Sequence, residues 1–219
     1  MRVVGFGCSF TYGSELVDPE IGDERSKLND PYREKYVWLG RLADSLGCEF
    51  DNRGEPANSN FAIAQQVAQY FLKNYNESEK IIICIGWTAK TRMSWYGSDW
   101  IHNGFVDSQT GWTKSAKEWT INSTNESFDM YTDNAKLIVN SICKAKNIPI
   151  LQFNSLGNHE TTNYPNYFID GSTMRDMLEQ AVREDSRKNF MKSGGHPNEQ
   201  GHEYFTIRLT EFAKSHIID

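Results

Sequence analysis

The chain alternates between short apolar runs and segments whose apolar residues recur at helical spacing. The clearest run is 80–86, Lys-Ile-Ile-Ile-Cys-Ile-Gly, in which hydrophobic residues follow one another without alternation. Such a run is typical of a parallel strand that helices cover on both faces. Runs at 2–6, 48–52, 148–153 and 167–170 predict further strands. The pattern therefore predicts a sheet of about five strands.

Segments with helical spacing separate these strands. They cover 36–46, 61–72, 128–146, 174–182 and 198–217. Strands that alternate with helices indicate a doubly wound parallel sheet, in which ligands bind beyond the carboxyl ends of the strands. At 219 residues the chain is long enough for one well-buried domain and short for two. We therefore expect a single α/β domain over the whole chain, built as a three-layer α/β/α sandwich.

One segment, at about 87–127, breaks this pattern and is polar, aromatic and rich in turns. Long irregular segments after a strand are commonly lids or walls of binding sites, and tryptophan faces suit sugar rings, acyl chains or cations. A satellite apolar cluster that holds the insertion together is the alternative. Arg92 could bind a substrate carboxylate or phosphate, or lie on the solvated surface. Five of the six tryptophans lie here, namely Trp87, Trp95, Trp100, Trp112 and Trp119.

Composition and charge narrow the functional classes. The chain has 38% hydrophobic and 24% charged residues, which is ordinary for a globular protein and argues against disorder. A net charge of -6 argues against a nucleic-acid binder that neutralises phosphates. No apolar run reaches the ~20 residues of a membrane span. The apolar stretch at the N-terminus is too short for the hydrophobic region of a secretory leader, so we expect a cytoplasmic protein. The four cysteines are scattered, and no metal or other cofactor is implied.

The first candidate for chemistry is the segment Gly7-Cys8-Ser9-Phe10-Thr11-Tyr12-Gly13, directly after the first predicted strand. Glycines around a serine let the backbone turn sharply and leave the hydroxyl at the sheet edge, where the serine N–H can help to stabilise an oxyanion. The same residues could form a glycine-rich turn whose serine caps a helix. A dinucleotide-binding G-x-G-x-x-G begins at Gly5, but Phe10 replaces its third glycine.

The second candidate, Gly194-Gly195-His196-Pro197-Asn198, directly precedes the last predicted helix. The glycines make a flexible loop, and Asn198 can cap the helix. A lone histidine at this place would usually be structural. Paired with Ser9 at the first turn, His196 instead indicates a nucleophile and its general base. We expect the Ser9 hydroxyl and a ring nitrogen of His196 to lie within or near hydrogen-bond reach, with a tryptophan of the insertion in the same pocket.

These segments resemble the sequence blocks of the SGNH/GDSL hydrolases, a family of esterases and lipases. Residues 7–13 match the first block, G-D-S-x-T-x-G, with Cys8 in place of the usual aspartate. Residues 196–202 match the last block, in which the histidine is the base. Residues 52–60 and 83–86 fall where the second and third blocks belong. The resemblance implies a flavodoxin-like fold and hydrolysis of a small-molecule ester, such as an O-acetylated saccharide, without a cofactor; it leaves the oligomeric state open.

Three positions depart from the family pattern. Ser193 stands where the family's acid usually lies, three residues before the base, and the second-block glycine corresponds to Ala57 or Asn58. The third block reads Gly86-Trp87-Thr88, so its asparagine is missing, and Asn58 or Asn60 could supply the lost amide donor. The candidates for oxyanion and substrate contacts are therefore Asn58, Asn60, Gly86, Trp87, Thr88 and Arg92.

The missing acid leaves open what orients His196. A backbone carbonyl of the 193–195 loop is our first choice, because it fixes the tautomer without a buried ion; it predicts a Ser-His dyad and a slow enzyme. Asp170 or Asp185 could instead supply a carboxylate. The alternative function is a degenerate SGNH domain that binds a ligand or partner without turnover. The missing acid and donors favour it, and the retention of both Ser9 and His196 opposes it.

Overall fold

A parallel sheet forms the centre of the computed structural model, which describes residues 1–24, 26–96, 101–105, 123–157, 164–168 and 172–217, with the backbone alone over 94–96 and 101–105. The described strands are β1 (Arg2–Gly7), β2 (Glu49–Gly54), β3 (Ile81–Trp87), β4 (Arg92–Tyr96), β5 (Ile101–Phe105) and β6 (Ile150–Asn154). Four of them form the parallel sheet in the order β2-β1-β3-β6, and β4 pairs with β5 as an antiparallel hairpin.

Seven α-helices and one short 3-10 helix, Lys27–Asn29, accompany the strands in the described part of the chain. The α-helices are α1 (Ser9–Tyr12), α2 (Asp30–Tyr36), α3 (Trp38–Leu46), α4 (Asn60–Lys73), α5 (Asn125–Ala145), α6 (Met174–Glu184) and α7 (Glu199–His216). The Ser59 side chain caps α4 by accepting from the N–H of Ala62, and Asn198 caps α7 in the same way. None of the described helices combines the length and the apolar composition that a membrane crossing requires.

Alternate strand residues face opposite layers of helices. Val3 and Ile82 pack into a buried cluster with residues of α3, α6 and α7. Val4 and Ile83, their neighbours along the strands, pack into a second cluster with residues of α4 and α5. Both clusters are built from side chains that lose their contact with water, which is the main driving force for this arrangement. The result is the three-layer α/β/α sandwich that the sequence predicts.

Two predicted elements differ in extent. The strand predicted at 167–170 is a single parallel bridge between Gln152 and Tyr167, and residues 169–171 lie outside the described part of the chain. The helix predicted from residue 128 begins earlier, at Asn125, because the Thr124 hydroxyl accepts a hydrogen bond from the N–H of Ser127 and caps it. The predicted irregular segment 87–127 contains the β4–β5 hairpin, and residues 97–100 and 106–122 lie outside the description.

Three glycines lie side by side near the carboxyl end of the sheet. Gly54 of β2 is in register with Gly7 of β1, which is in register with Gly86 of β3. Thr11 of α1 packs against this row, and a Cβ added at Gly86 would lie 2.8 Å from its Oγ1. A Cβ at Gly54 would lie 2.7 Å from the carbonyl carbon of Thr11, and one at Gly7 would overlap its hydroxyl. The row of glycines thus lets α1, with Ser9 at its start, pack closely against the carboxyl end of the sheet.

Candidate active site

Ser9 is the first residue of α1 and follows β1 after a single residue. The carbonyl of Cys8 accepts hydrogen bonds from the N–H groups of Thr11 and Tyr12, which closes the turn. The N–H of Ser9 has no partner within the helix, as expected at a helix start. The Ser9 hydroxyl is buried and makes no hydrogen bond to any described residue. The turn therefore holds a serine whose hydroxyl has no hydrogen-bond partner in the part of the chain that the structure describes.

The imidazole of His196 contacts the carboxylate of Glu15, a residue that the sequence analysis did not select. Nδ1 of His196 lies 2.8 Å from Oε2 of Glu15. The same carboxylate accepts the backbone N–H of His196 at 3.2 Å on Oε2 and that of Gly194 at 3.0 Å on Oε1. The expectation that a backbone carbonyl of the 193–195 loop orients His196 is therefore wrong, because a carboxylate from the segment after α1 occupies Nδ1.

Glu15 is held in an unusual backbone conformation. Its φ of 65° lies in the left-handed region that non-glycine residues seldom adopt. Its N–H donates to Oε1 of Glu24 at 3.0 Å. Burial alone would raise the pKa of the Glu15 carboxyl, but hydrogen bonds from the His196 ring and from the N–H groups of Gly194 and His196 outweigh it and lower the pKa below its usual value.

The loop of residues 193–197, which carries His196 and is called the histidine loop, also contacts α1 directly. The rings of Phe10, which follows Ser9, and His196 have their centroids 5.6 Å apart and are tilted by 58°. The serine and the histidine are therefore carried by segments that pack against each other. The described structure contains no hydrogen bond from the Ser9 hydroxyl, so the expected approach of Ser9 and His196 to hydrogen-bond reach stays a prediction.

Of the two aspartates proposed as the missing acid, the structure describes Asp185. Asp185 forms two hydrogen bonds with the Arg187 guanidinium, at 2.9 and 3.1 Å, and these bonds lower the pKa of its carboxyl. Asp170 lies outside the described residues. Asp185 is set aside because Nδ1 of His196 is occupied by Glu15 and the carboxylate of Asp185 is bound to Arg187.

The second block contains a backbone conformation suited to glycine. Ala57 has φ of 61°, in the left-handed region that favours glycine. The N–H of Asn58 donates to the carbonyl of Glu55 at 3.3 Å. The Asn58 side-chain amide donates to the carbonyl of Gly7 at 3.3 Å and to Oε1 of Gln66 at 2.8 Å. Both amide hydrogens of Asn58 are thus used within the fold, which leaves the Ala57 N–H as the donor candidate of this block.

The side-chain amide of Asn60 forms two hydrogen bonds with the backbone of Thr88. Oδ1 of Asn60 accepts the N–H of Thr88 at 2.8 Å, and its Nδ2 donates to the Thr88 carbonyl at 3.0 Å. Nδ2 also donates to the Thr132 hydroxyl at 3.3 Å. Asn60 therefore ties the start of α4 to the residue after β3, and its amide nitrogen donates within the fold, to Thr88 and Thr132.

The remaining predicted site residues lie within the fold. Gly86 belongs to the glycine row under Thr11, and Arg92 is buried at the start of β4 rather than on the solvated surface. Trp87 is fully buried in the cluster with α4 and α5, and its indole N–H donates to Oε1 of Gln152 at 3.1 Å. Trp87 is thus a core residue. The side chains of the other tryptophans of the insertion lie outside the description, namely Trp95, Trp100, Trp112 and Trp119.

The other histidine of the last block is structural. His202 is fully buried in α7, and burial, followed by the charges of Arg41 and His196, lowers its pKa to about 3. Two buried hydroxyls near Gly86, those of Thr11 and Ser155, have no hydrogen-bond partner among the described residues. Within the same residues no three His, Cys, Asp or Glu side chains are grouped so that they could hold a metal ion.

Comparison with solved structures gives the fold. The chain is similar to a carbohydrate esterase whose active site displays divergent catalytic and non-catalytic binding functions, with 13% identity, a TM-score of 0.56, and 99% of this chain and 65% of that one covered. It is similar to the acetyl xylan esterase Est2A of Butyrivibrio proteoclasticus, with 10% identity, a TM-score of 0.52, and coverage of 98% and 63%. The chain therefore spans less than two thirds of the length of both.

A third similar structure is a lipolytic protein of the G-D-S-L family from Veillonella parvula, with 13% identity, a TM-score of 0.44, and coverage of 98% and 97%. No protein-family model and no curated protein matches the chain by sequence. The two matches with TM-scores above 0.5 are consistent with the parallel sheet and flanking helices of this chain. The chain therefore has an α/β fold like that of these two esterases.

Proposed function

We propose that the chain is a serine esterase that cleaves a small acyl ester, with Ser9 as nucleophile and His196 as general base. The observation that carries the proposal is the packing of the histidine loop on α1, where the rings of Phe10 and His196 lie 5.6 Å apart. It brings together the two segments that the sequence marks as nucleophile and base. The Ser9 hydroxyl makes no hydrogen bond to any described residue, so the proposal requires that His196 and Ser9 come within hydrogen-bond reach when substrate binds.

The reaction follows from these roles. Ser9 Oγ attacks the acyl carbon while Nε2 of His196 takes its proton, which gives a tetrahedral intermediate. The imidazolium then returns the proton to the departing alcohol oxygen as the bond from that oxygen to the acyl carbon breaks. Water, activated by the same nitrogen, attacks the acyl-enzyme and releases the acid and free Ser9. The N–H groups of Ser9 and Ala57 are the donors proposed for the oxyanion, since the Asn58 and Asn60 amides are engaged elsewhere.

An O-acetyl group on a saccharide is the substrate that we propose. The two similar structures with the higher scores are a carbohydrate esterase and an acetyl xylan esterase. The tryptophans of the insertion other than Trp87 offer faces on which sugar rings commonly stack. The proposal needs at least one of those side chains beside Ser9.

Binding without turnover is the second candidate. It is favoured by the engagement of Asn58 and Asn60 within the fold, because losing a single oxyanion donor costs ~3–4 kcal/mol of transition-state stabilisation. The similar carbohydrate esterase, whose active site displays both catalytic and non-catalytic binding functions, makes this candidate concrete. The two candidates differ in whether Ser9 reacts.

Labelling with a fluorophosphonate probe separates them. We expect the wild-type chain and Ser45→Ala, a control at an exposed serine of α3, to be labelled, whereas Ser9→Ala is not. Hydrolysis of p-nitrophenyl acetate and release of acetate from acetylated xylo-oligosaccharides should be lost in Ser9→Ala and in His196→Ala. A folded wild-type chain that takes no label and releases no acetate, yet binds the oligosaccharide, would overturn the esterase in favour of the binding protein.

A further inference from the structure

We propose that Glu15 is the acid of the site, a positioning residue that acts through His196 and completes a Ser9-His196-Glu15 triad. The inference rests on the proposed function. It places the acid in the segment after the nucleophile, two residues beyond the Gly13 that ends α1, instead of three residues before the base, where this chain has Ser193. The site would then need neither Asp170 nor Asp185 as its acid.

The contact has the geometry of a histidine–carboxylate pair in a catalytic triad. The Nδ1–Oε2 distance of 2.8 Å is typical of a charge-assisted hydrogen bond. An ionised carboxylate can only accept, so Nδ1 of His196 carries the hydrogen, and in the neutral ring Nε2 then has the lone pair. That tautomer is the one a general base needs, because Nε2 is then ready to take the proton of Ser9. After the transfer, the carboxylate stabilises the imidazolium without taking a proton itself.

Glu15 is held at both its carboxylate and its backbone N–H, which suits a positioning role. The N–H groups of Gly194 and His196 hold its two oxygens from the histidine loop, while Oε1 of Glu24 holds the Glu15 N–H from the other side. A Cβ added at Gly194 would lie 2.6 Å from Oε2 of Glu15, so a larger residue at 194 would require the carboxylate to move. The three contacts leave the carboxylate little freedom to turn away from the ring.

The backbone of Glu15 adds an independent observation. A left-handed φ of 65° at a glutamate is unfavourable and persists only where surrounding contacts impose it. Such strained residues cluster at active sites. The lowered pKa of the Glu15 carboxyl agrees with a group that is ionised when the neighbouring histidine is neutral. The slow rate expected of a Ser-His dyad therefore no longer follows.

A purely structural role for Glu15, in which it only ties the histidine loop to the segment after α1, makes a different prediction. Loss of the carboxylate would then lower the free energy of unfolding, but would leave the ring tautomer and the turnover of the folded molecules unchanged. The tautomer is the readout that separates the two roles, and it does not depend on whether the chain hydrolyses any ester.

The first experiment is ¹⁵N NMR of histidine-labelled wild-type protein. We expect the His196 signals, assigned with His196→Ala, to show hydrogen on Nδ1 and a strongly downfield Nδ1 proton at neutral pH. A His196 ring protonated on Nε2 alone would overturn the role of Glu15, even if Ser9 takes the fluorophosphonate label. The proposed function fails separately, if wild type takes no label while the Nδ1–H signal is present.

The second experiment compares Glu15→Gln with Glu20→Gln, a control at an exposed carboxylate of the same segment. In Glu15→Gln we expect loss of the Nδ1–H signal and a fall in kcat and labelling rate of ~10²–10⁴-fold, with KM within about threefold of wild type. Glu15→Asp should restore part of kcat, and Glu20→Gln should match wild type. A folded Glu15→Gln protein with wild-type kcat and tautomer would refute the proposal; if it does not fold, the wild-type tautomer decides.

Discussion

The backbone N–H of Trp38 donates a hydrogen bond to Nδ1 of His202, 3.2 Å away, and joins the start of α3 to α7. Both side chains are fully buried. The first N–H groups of a helix have no partner within it, so His202 satisfies a donor that would otherwise be buried without one. Because Nδ1 must keep its lone pair to accept this bond, the contact requires the neutral ring.

We predict that His202 makes the fold sensitive to acid. Burial lowers the pKa of His202 to about 3, against ~6.5 in an unfolded chain. Between these values the unfolded chain binds a proton that the folded chain does not, so the free energy of unfolding falls as pH is lowered from about 6.5 toward 3. His202→Asn keeps an acceptor near the Trp38 N–H but does not titrate. Its free energy of unfolding should therefore vary less steeply with pH, by up to ~1.4 kcal/mol per pH unit.

Urea unfolding at several pH values between 4.5 and 7.5 measures these slopes. His216→Asn, at an exposed histidine near the end of α7, is the matched control and should follow wild type. Equal slopes for wild type and His202→Asn would mean that the buried ring is protonated in the folded chain.

The glycine row gives a second prediction. In Gly86→Ala the new Cβ would lie 2.7 Å from the Ser155 hydroxyl and 2.8 Å from that of Thr11, so α1 must shift outward. Overpacking of this kind lowers the free energy of unfolding by ~1–3 kcal/mol. Because Ser9 begins α1, the rate of fluorophosphonate labelling should fall as well.

Gly22→Ala is the control for the glycine row, because a Cβ there meets nothing within 4 Å. Its positive φ of 70° should cost ~1 kcal/mol and leave the labelling rate unchanged. Equal labelling rates in Gly86→Ala and wild type would show that α1 does not depend on the glycine row for its position.

How far the sequence leads depends on whether a contact is local. The run at 80–86 predicts β3 because its pattern is confined to one strand, and the positions of Ser9 and His196 follow from the element that each one borders. The Glu15–His196 contact joins residues far apart in the chain. It depends on the left-handed turn at Gly13 and on the close approach of Gly194, and neither leaves a periodic signal.

Trp87 is different, because a signal for its position was present. Residues 81, 83, 85 and 87 alternate along β3 and share one face, so the strand period places Trp87 with Ile83 and Ile85 in the core. Ending the predicted strand at Gly86 assigned the tryptophan to the aromatic insertion instead. The alternation along β3 therefore predicts the position of Trp87 better than the aromatic residues that follow it in the sequence.

A third prediction tests Trp87 as a core residue. Trp87→Phe removes the hydrogen bond to Oε1 of Gln152, although that oxygen still accepts from Nδ2 of Asn140 at 3.2 Å. We expect the free energy of unfolding to fall by ~1–2 kcal/mol from the lost bond and lost packing, with KM for an ester substrate unchanged. Thermal unfolding and steady-state kinetics on one preparation measure both. A KM raised tenfold at wild-type stability would return Trp87 to the binding site.

The last prediction concerns the donor proposed in the second block. Ala57 has φ of 61°, which costs a non-glycine residue ~1–2 kcal/mol. Ala57→Gly removes this cost but gives the unfolded chain more freedom, worth ~0.4–1 kcal/mol. The free energy of unfolding should therefore rise by up to ~1.6 kcal/mol, and kcat should stay near that of wild type because the N–H keeps its place. Ala57→Val, with a branched side chain in the same conformation, should lose both stability and kcat.

Ala64→Gly is the matched control for Ala57→Gly, because Ala64 lies in the interior of α4 with ordinary helical backbone. Glycine there should lower the free energy of unfolding by ~1 kcal/mol or more, through helix propensity and the loss of a buried methyl group. The two substitutions are chemically identical, so opposite signs would isolate the backbone conformation at residue 57 as the cause. If Ala57→Gly is destabilised as much as Ala64→Gly, residue 57 is not held in the left-handed region, and its N–H is not fixed as an oxyanion donor.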